Sequence, residues 1–318
     1  MEFTKDSINI NCTEEIERMV SKLKSDVVQK LKKRGAVVGI SGGIDSSVVL
    51  ALCARTFGPQ KVLGIMMPDK DSNPDSLMLA RKLAAKFEVD YIVEDMTAAL
   101  AGFGCYTRRD EAIQRVFPEF DPTYKAKITL PTNILEKDTL NIFQVTIITP
   151  EGEEKTERLP VKEYLQIVAA SNYKQRSRMS MLYYYAEARN YAVIGTGNKN
   201  EHEQGFFVKY GDGGADVKPI AHLFKTQVFQ LAKYLEVPRE IQDRTPTTDT
   251  YSAEQTQEEF FFRLPFDMLD RIWYGMELGI PEEQIAKTLN LKEEQVHNVI
   301  NDIKRKEAAT DYLRMNPL

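Results

Sequence analysis

The sequence predicts an α/β protein built on a doubly wound parallel sheet, with helices on both faces and a β-hairpin-containing insertion. Three observations predict it. Short apolar runs of strand length (Val37–Ile40, Val62–Pro68, Tyr91–Asp95, Ala192–Gly197) alternate with stretches of helical periodicity. That alternation has the spacing of βαβ units, which require parallel strands and place ligands at the carboxyl ends of the strands. Between about residues 101 and 165 the rhythm breaks into strand, turn and polar strand.

The first element is helical. Ile16, Met19, Val20, Leu23, Val27, Val28 and Leu31 recur at helix spacing within 13–34 and predict a packing helix leading into the first strand, with a dimer interface as its other use. The strand Val37–Ile40 runs into Ser41-Gly42-Gly43-Ile44-Asp45-Ser46-Ser47 and then into the apolar helix Val48–Ala54. A strand, a Ser/Gly turn and a helix N-terminus form a nest of N–H groups at a positive dipole end, suited to phosphate. Asp45 is the odd member. A carboxylate beside an anion nest is repulsive unless a cation such as Mg²⁺ lies between it and the phosphate. The glycine pattern matches neither G-x-x-x-x-G-K-[ST] nor G-x-G-x-x-G. The plainer use of the motif is a glycine turn with Asp45 or Ser46 as N-cap.

The second strand ends in Met66-Met67-Pro68, where an adenine pocket or plain core are both open uses. A polar loop, Asp69–Pro74, leads to a helix at 75–87 and the third strand at 91–95. Within 101–165, Leu140–Ile148, the turn Pro150-Glu151-Gly152-Glu153 and a polar continuation predict the hairpin; a lid, a docking arm and surface decoration are its open uses. A helix is predicted to open at Asn172. Lys174 and Arg178, four apart, share a face and Arg176 points elsewhere. The strand Ala192–Gly197 then meets Glu201, as a second wall of one nucleotide site. Gly205–Asp216 is too glycine-dense for core and suits wrapping a polar ligand. Pro219–Tyr234 reads as a short strand and a helix. Lys225 stands near that helix start, where a cation requires a compensating anion, which makes it a phosphate ligand in prospect.

The formal charge of −5 and pI near 5.5 argue against a general nucleic-acid binder. Cys12, Cys53 and Cys105 show no metal spacing and read as reduced thiols of a cytoplasmic protein. Neither a signal-type h-region nor a run of about 18 apolar residues is present. Gly279–Val296 resembles a helix-turn-helix, but Glu293 and Glu294 on its second helix would repel phosphates, so packing is the expected role. The chain reads as a single domain over 1–318, with 280–318 as a helical tail.

Ser-Gly-Gly-x-Asp-Ser resembles the pyrophosphate loop of the ATP pyrophosphatase (PP-loop) enzymes. Taken in order, Ser41–Ser46, Asn172–Met179, Gly195–Glu201, Gly205–Asp216, Pro219–Gln227 and Pro246-Thr247-Thr248-Asp249 resemble the ammonia-dependent NAD⁺ synthetases, over about residues 15–300. The string Lys209-Tyr210-Gly211-Asp212-Gly213-Gly214-Ala215-Asp216 is the most specific part.

The resemblance implies that deamido-NAD⁺ attacks the α-phosphorus of ATP through its carboxylate, and that ammonia then displaces AMP from the acyl-adenylate. It implies ATP contacts at Gly39, Ile40, Ser41, Gly42, Gly43, Ile44, Asp45, Ser46, Thr196, Lys225 and Thr247. Arg176, Lys209 and Asp216 fall on deamido-NAD⁺ positions, and Asp45 and Glu201 on those for Mg²⁺. Asp45 and Lys225 would serve the transfer itself, and Asp212 would orient ammonia or take its proton. Homodimers are the family's habit. No glutaminase segment is visible, so free ammonia is the expected donor, with a separate glutaminase subunit as an alternative.

The chain departs from the family pattern at Gln257-Glu258-Glu259-Phe260-Phe261-Phe262, where the aromatic run is expected in the core. It also lacks a match to the family's C-terminal His-Lys pair, for which Lys304-Arg305-Lys306 or Arg314 could substitute. Other functions in competition are a PP-loop ligase for a different carboxylate, a tRNA-modifying PP-loop enzyme, and a non-catalytic nucleotide-binding regulator.

Overall fold

The computed structural model describes residues 3–129, 134–135, 143–247, 251–253 and 255–316, with Glu259 described by its backbone only. The elements in order are α1 (Cys12–Lys24), β1 (Ala36–Gly39), α2 (Ile44–Phe57), β2 (Val62–Met66), α3 (Pro74–Lys86), β3 (Asp90–Val93), α4 (Thr97–Gly102) and α5 (Cys105–Gln114). Then come β4 (Lys125–Thr129), β5 (Gln144–Ile148), β6 (Glu154–Arg158), α6 (Val161–Arg189), β7 (Ala192–Ile194), α7 (Lys199–Gln204), α8 (Lys225–Tyr234), α9 (Arg239–Gln242), α10 (Phe266–Glu277), α11 (Glu282–Leu289) and α12 (Glu293–Arg314).

Four parallel strands in the order β3-β2-β1-β7 form the main sheet. Period-2 alternation divides β1 between two layers. Ala36 and Val38 face one apolar cluster with α1, α2, α3 and α8, while Val37 faces another with Met179, Leu182 and Ala186 of α6. The sheet is therefore covered on both faces, as predicted. Because β2 and β7 lie on opposite sides of β1, the chain departs from β1 in two directions and opens a crevice at the carboxyl ends of β1 and β7. Helix α2 is buried on nearly every side, Ile44 and Ser46–Cys53 all being inaccessible. Its mixed apolar surface fits a position between the sheet, α1 and α8.

Several local expectations change. The first helix is α1 followed by a π-helical stretch, Ser25–Lys30, and its Val28 and Leu31 are exposed rather than packed. The helix expected from Asn172 begins at Val161, eleven residues earlier, because Pro160 stands just before it at a position that needs no helical N–H. Segment 101–165 carries the predicted hairpin β5–β6, turned at Gly152 (φ 91°). It also carries α4, α5 and the strand β4, which completes a three-stranded antiparallel sheet. The short strand expected at the start of 219–234 is a turn instead, and Val217, just before it, makes a single parallel bridge to Ile194. Met66 lies in the core and Met67 packs beside α6.

The C-terminal helices bury Ile285, Val296, Val299, Ile300 and Ile303 against Trp273 of α10, so the helix-turn-helix look reports packing. Phe206 contacts Phe260, Phe261 and Phe262 at centroid distances of 4.8–5.8 Å, which places the aromatic run in the core as expected. Among the described residues no helix is long and apolar enough to cross a membrane, and all three cysteines are unpaired.

Candidate functional site

The site begins where β1 stops. Gly39 ends the strand, and Ile40 extends the pairing by donating its N–H to the Ile65 carbonyl at 2.9 Å. Ser41 is exposed and Gly42 turns the chain at φ 76°. Only glycine fits there twice over. A Cβ would stand 2.5 Å from the Ser76 carbonyl oxygen, and the left-handed backbone is costly for other residues. Gly43 is the N-cap of α2 and supplies no side-chain cap, so the first N–H groups of the helix, from Ile44, Asp45 and Ser46, open toward the crevice. Ser46 and Ser47 donate their hydroxyls to the Gly43 carbonyl at 3.1 and 2.7 Å and hold the turn shut from behind.

Asp45 sits in the first turn of α2 and gathers the other strand ends. Its Oδ2 accepts from Lys225 Nζ at 2.5 Å, and its Oδ1 accepts from Asn198 Nδ2 at 2.8 Å. Lys225 is buried at the first position of α8, and Asp45 is the anion that its position demanded. Asn198 caps α7 in a reciprocal capping box. It accepts the Glu201 N–H at 3.1 Å, and Glu201 Oε2 accepts the Asn198 N–H at 3.1 Å. Glu201 Oε1 accepts from Gln257 Nε2 at 3.3 Å, and Gln257 Oε1 lies 3.5 Å from Lys225 Nζ. Burial, reinforced by the charge of Asp45, pushes the Glu201 carboxyl well above the usual carboxylate range, with Lys225 opposing. Two carboxylates and a lysine thus converge beside an open helix N-terminus. Behind them, buried Asp270 accepts the Thr226 N–H at 2.8 Å and the Asn200 side chain at 2.5 Å, and caps α8; burial pushes its carboxyl up to about 6.

The remaining predicted residues form a second group. Thr196 follows β7, half-buried, at the mouth of the crevice. Arg176 is exposed on α6 and donates to the Lys209 carbonyl at 3.1 Å. Lys209 Nζ donates to the carbonyls of Tyr312 and Met315 at 3.1 and 3.0 Å, which ties the glycine-rich loop to the end of α12. Asp216 accepts the Val193 N–H at 2.8 Å and the Tyr183 hydroxyl at 3.0 Å, so it closes the open edge of β7. Asp212 starts a 3₁₀ turn and accepts the Val208 N–H at 3.0 Å. Thr247 bridges to Thr256; Thr248 and Asp249 lie outside the described residues. Of the suggested substitutes for the His-Lys pair, Lys306 pairs with Asp302 at 2.7 Å, and Arg314 donates to the His202 and Glu203 carbonyls at the end of α7.

Sequence reasoning missed Asn198, Gln257 and Asp270. Asn198 had a signal, since Asn-x-x-Glu before a helix is a capping box. Gln257 lay inside the departure from the family pattern, and Asp270 had no local signal. It also missed the partners of the α6 cations. Lys174 reaches Asp69 and Asp71 at 3.2 and 2.6 Å, Arg178 reaches Asp69 at 2.8 Å, and Arg109 reaches Asp71 at 2.5 Å. The shared face predicted for Lys174 and Arg178 is the reason both meet Asp69.

An all-oxygen donor set suits Mg²⁺. Asp45 and Glu201 supply two carboxylates that repel one another, each oxygen keeping lone pairs beyond its present partners.

The family model described as NAD synthase matches residues 15–120 and 123–311. The chain is similar to the NH(3)-dependent NAD(+) synthetase of Mesorhizobium japonicum, at 49% identity over 304 residues covering 96% of this chain and 95% of that protein. It is similar to the one from Rhizobium meliloti at 47% identity over 315 residues, covering 99% and 94%. Among solved structures, the NH3-dependent NAD synthetase from Campylobacter jejuni superposes with a TM-score of 0.63 at 22% identity, over 97% of this chain and 99% of that one, a likeness of fold.

Proposed function

The chain belongs to the NAD synthase family, and from that premise we propose that it makes NAD⁺ by ATP-dependent amidation of deamido-NAD⁺ with ammonia. The observation that carries the residue assignment is the convergence of Asp45, Glu201 and Lys225 on the uncapped N-terminus of α2.

In this reading the Ser41–Ser46 nest receives the ATP phosphates through backbone N–H groups, with Gly39, Thr196 and Thr247 around the nucleotide. The substrate carboxylate oxygen bonds to the α-phosphorus, the bond from that phosphorus to the bridging oxygen breaks, and pyrophosphate leaves with the electron pair. This transfer needs placement and neutralisation rather than a protein nucleophile. Lys225 neutralises charge on the leaving group, and Asp45 holds the ammonium in position until ATP arrives. Asp45 and Glu201 would hold Mg²⁺, which would supply positive charge to offset that of the ATP phosphates. Arg176, Lys209 and Asp216 flank deamido-NAD⁺. Ammonia then bonds to the acyl carbon, AMP departs, and Asp212 takes the released proton.

Reduced cysteines favour the cytoplasm, and a homodimer supplied with free ammonia is the expected form; a separate glutaminase subunit is the alternative donor. The test is AMP release from ATP, Mg²⁺ and ammonia, with and without deamido-NAD⁺, reading NAD⁺ by an alcohol dehydrogenase couple. NAD⁺ formed in step with AMP is expected. AMP release indifferent to deamido-NAD⁺, with no NAD⁺, would keep the ATP chemistry and reject the substrate.

A further inference from the structure

We infer that Lys218 is the counter-ion of the substrate carboxylate and the residue by which the enzyme tells the acid, deamido-NAD⁺, from the amide product; the inference rests on the reaction proposed above.

Lys218 differs from the cations around it. Lys225 is held by Asp45, Lys174 by Asp69 and Asp71, Arg178 by Asp69 and the Met67 carbonyl, and Lys209 by two carbonyls of the α12 end. The described residues offer Lys218 neither a hydrogen bond nor an ion pair. Its contact is the face of Phe207, with Nζ 5.5 Å from the ring centroid. The residue is half-buried, and burial lowers its pKa against the pull of Asp212. A partly desolvated ammonium with no anion within bonding distance is a group with unspent attraction for one.

Its backbone is fixed. Residues 216 and 217 run along the open edge of β7, with Asp216 N–H to the Val193 carbonyl at 3.0 Å and Gly195 N–H to the Val217 carbonyl at 2.8 Å. Val217 packs into the α2 side of the core. The stem of Lys218 passes over Gly195, where a Cβ would stand 3.2 Å from Lys218 Cγ and 2.8 Å from Ala215 Cβ. Gly195 thus leaves room for the lysine to cross the carboxyl end of β7, one strand from the Ser41–Ser46 nest. Phe207, beneath the ammonium, stacks on His202 at 5.7 Å and 11°, and His202 follows Glu201.

The chemistry selects the ligand. The nucleophile is an anionic carboxylate, whereas the product is a neutral carboxamide. When the carboxylate oxygen bonds to phosphorus and pyrophosphate leaves, Lys218 keeps its proton and its first partner has lost its charge. A cation at this place favours binding of the acid and does not retain the amide.

Steady-state kinetics of Lys218→Met, with ATP, Mg²⁺ and ammonia saturating, test this. KM for deamido-NAD⁺ should rise about tenfold to a hundredfold, as for loss of a charged hydrogen-bond partner. KM for ATP and the dissociation constant of NAD⁺ should move less than about twofold on the same reasoning, and Lys218→Arg should recover most of the loss. An unmoved KM for deamido-NAD⁺ overturns the inference. So does a rise in the NAD⁺ dissociation constant by the same factor, which marks general packing, or a rise confined to KM for ATP. Lys218→Gln carries the same expectation should the Met variant fail to fold. Failure of the reaction itself is seen separately, in wild-type protein that forms no NAD⁺, and it overturns both readings.

Discussion

Two clusters of opposite charges lie at neighbouring strand ends, and they are built to opposite purposes. Beyond β2, Asp69 and Asp71 meet Lys174, Arg178 and Arg109, with side chains between 0 and 14% exposed. Every carboxylate there has two cationic partners, and the cluster locks α6 and α5 to the loop after β2. Beyond β1 and β7, Asp45 alone pairs with Lys225, Glu201 is held by the Asn198 N–H and the Gln257 side chain, and the helix behind them is uncapped. The first cluster is complete without a ligand. The second holds repelling carboxylates and free N–H groups, which is the condition of a site that expects a cation and an anion together.

If that contrast is right, the two clusters should answer substitution with opposite signs of stability. The largest effect is expected in the closed one. Lys174→Met leaves Asp69 and Asp71 short of a cation in the interior, and the unfolding free energy should fall by about 3–5 kcal/mol in chemical denaturation. A loss below 1 kcal/mol would mean that the cluster is not what fastens α6.

In the open cluster, Glu201→Gln should cut NAD⁺ formation by about 10²–10³-fold, the usual cost of deleting one preorganised charged group. The same change removes repulsion against Asp45, so the ligand-free protein should gain about 1 kcal/mol of stability. A variant that lost both activity and stability would show the two clusters to be alike.

The smallest effect is in the pH profile. Burial alone would raise the Asp71 carboxyl, but Arg109 and Lys174 outweigh it and hold the carboxyl below its ordinary value. A carboxylate depressed in the folded state stabilises the protein above its unfolded pKa, about 3.9, and loses that contribution as pH falls through the lower folded value. Thermal stability should therefore drop below about pH 4, and Asp71→Asn should flatten that part of the curve. An unchanged slope in the variant would assign the acid loss to other carboxylates.

What could be read from the sequence follows the range over which each cause acts. The turn at Gly42, the nest before α2 and the alternation of strands and helices depend on residues within one or two turns of each other, and all of them were legible. The Phe260–Phe262 run was assigned to core from its chemistry alone. The start of α6 was misplaced although 161–171 is rich in apolar residues: Val161 and Leu165 stay exposed, and the face that packs, with Tyr164, Ile167 and Ala170, is picked out by α5 and the three-stranded sheet.

The sequence by itself determined a covered parallel sheet, a phosphate nest and a set of charged residues suited to nucleotide chemistry. Backbone conformation and hydrophobic period are local properties, and neighbours in the chain express them. Only the tertiary structure decided which charges meet. Asp45 and Lys225 are 180 residues apart, and Lys174 and Asp71 are 103 apart. Lys218 is left without an anion for the same reason: an ion pair forms or fails at angstrom range, and side chains from distant segments come that close only when the strands beneath them are in register.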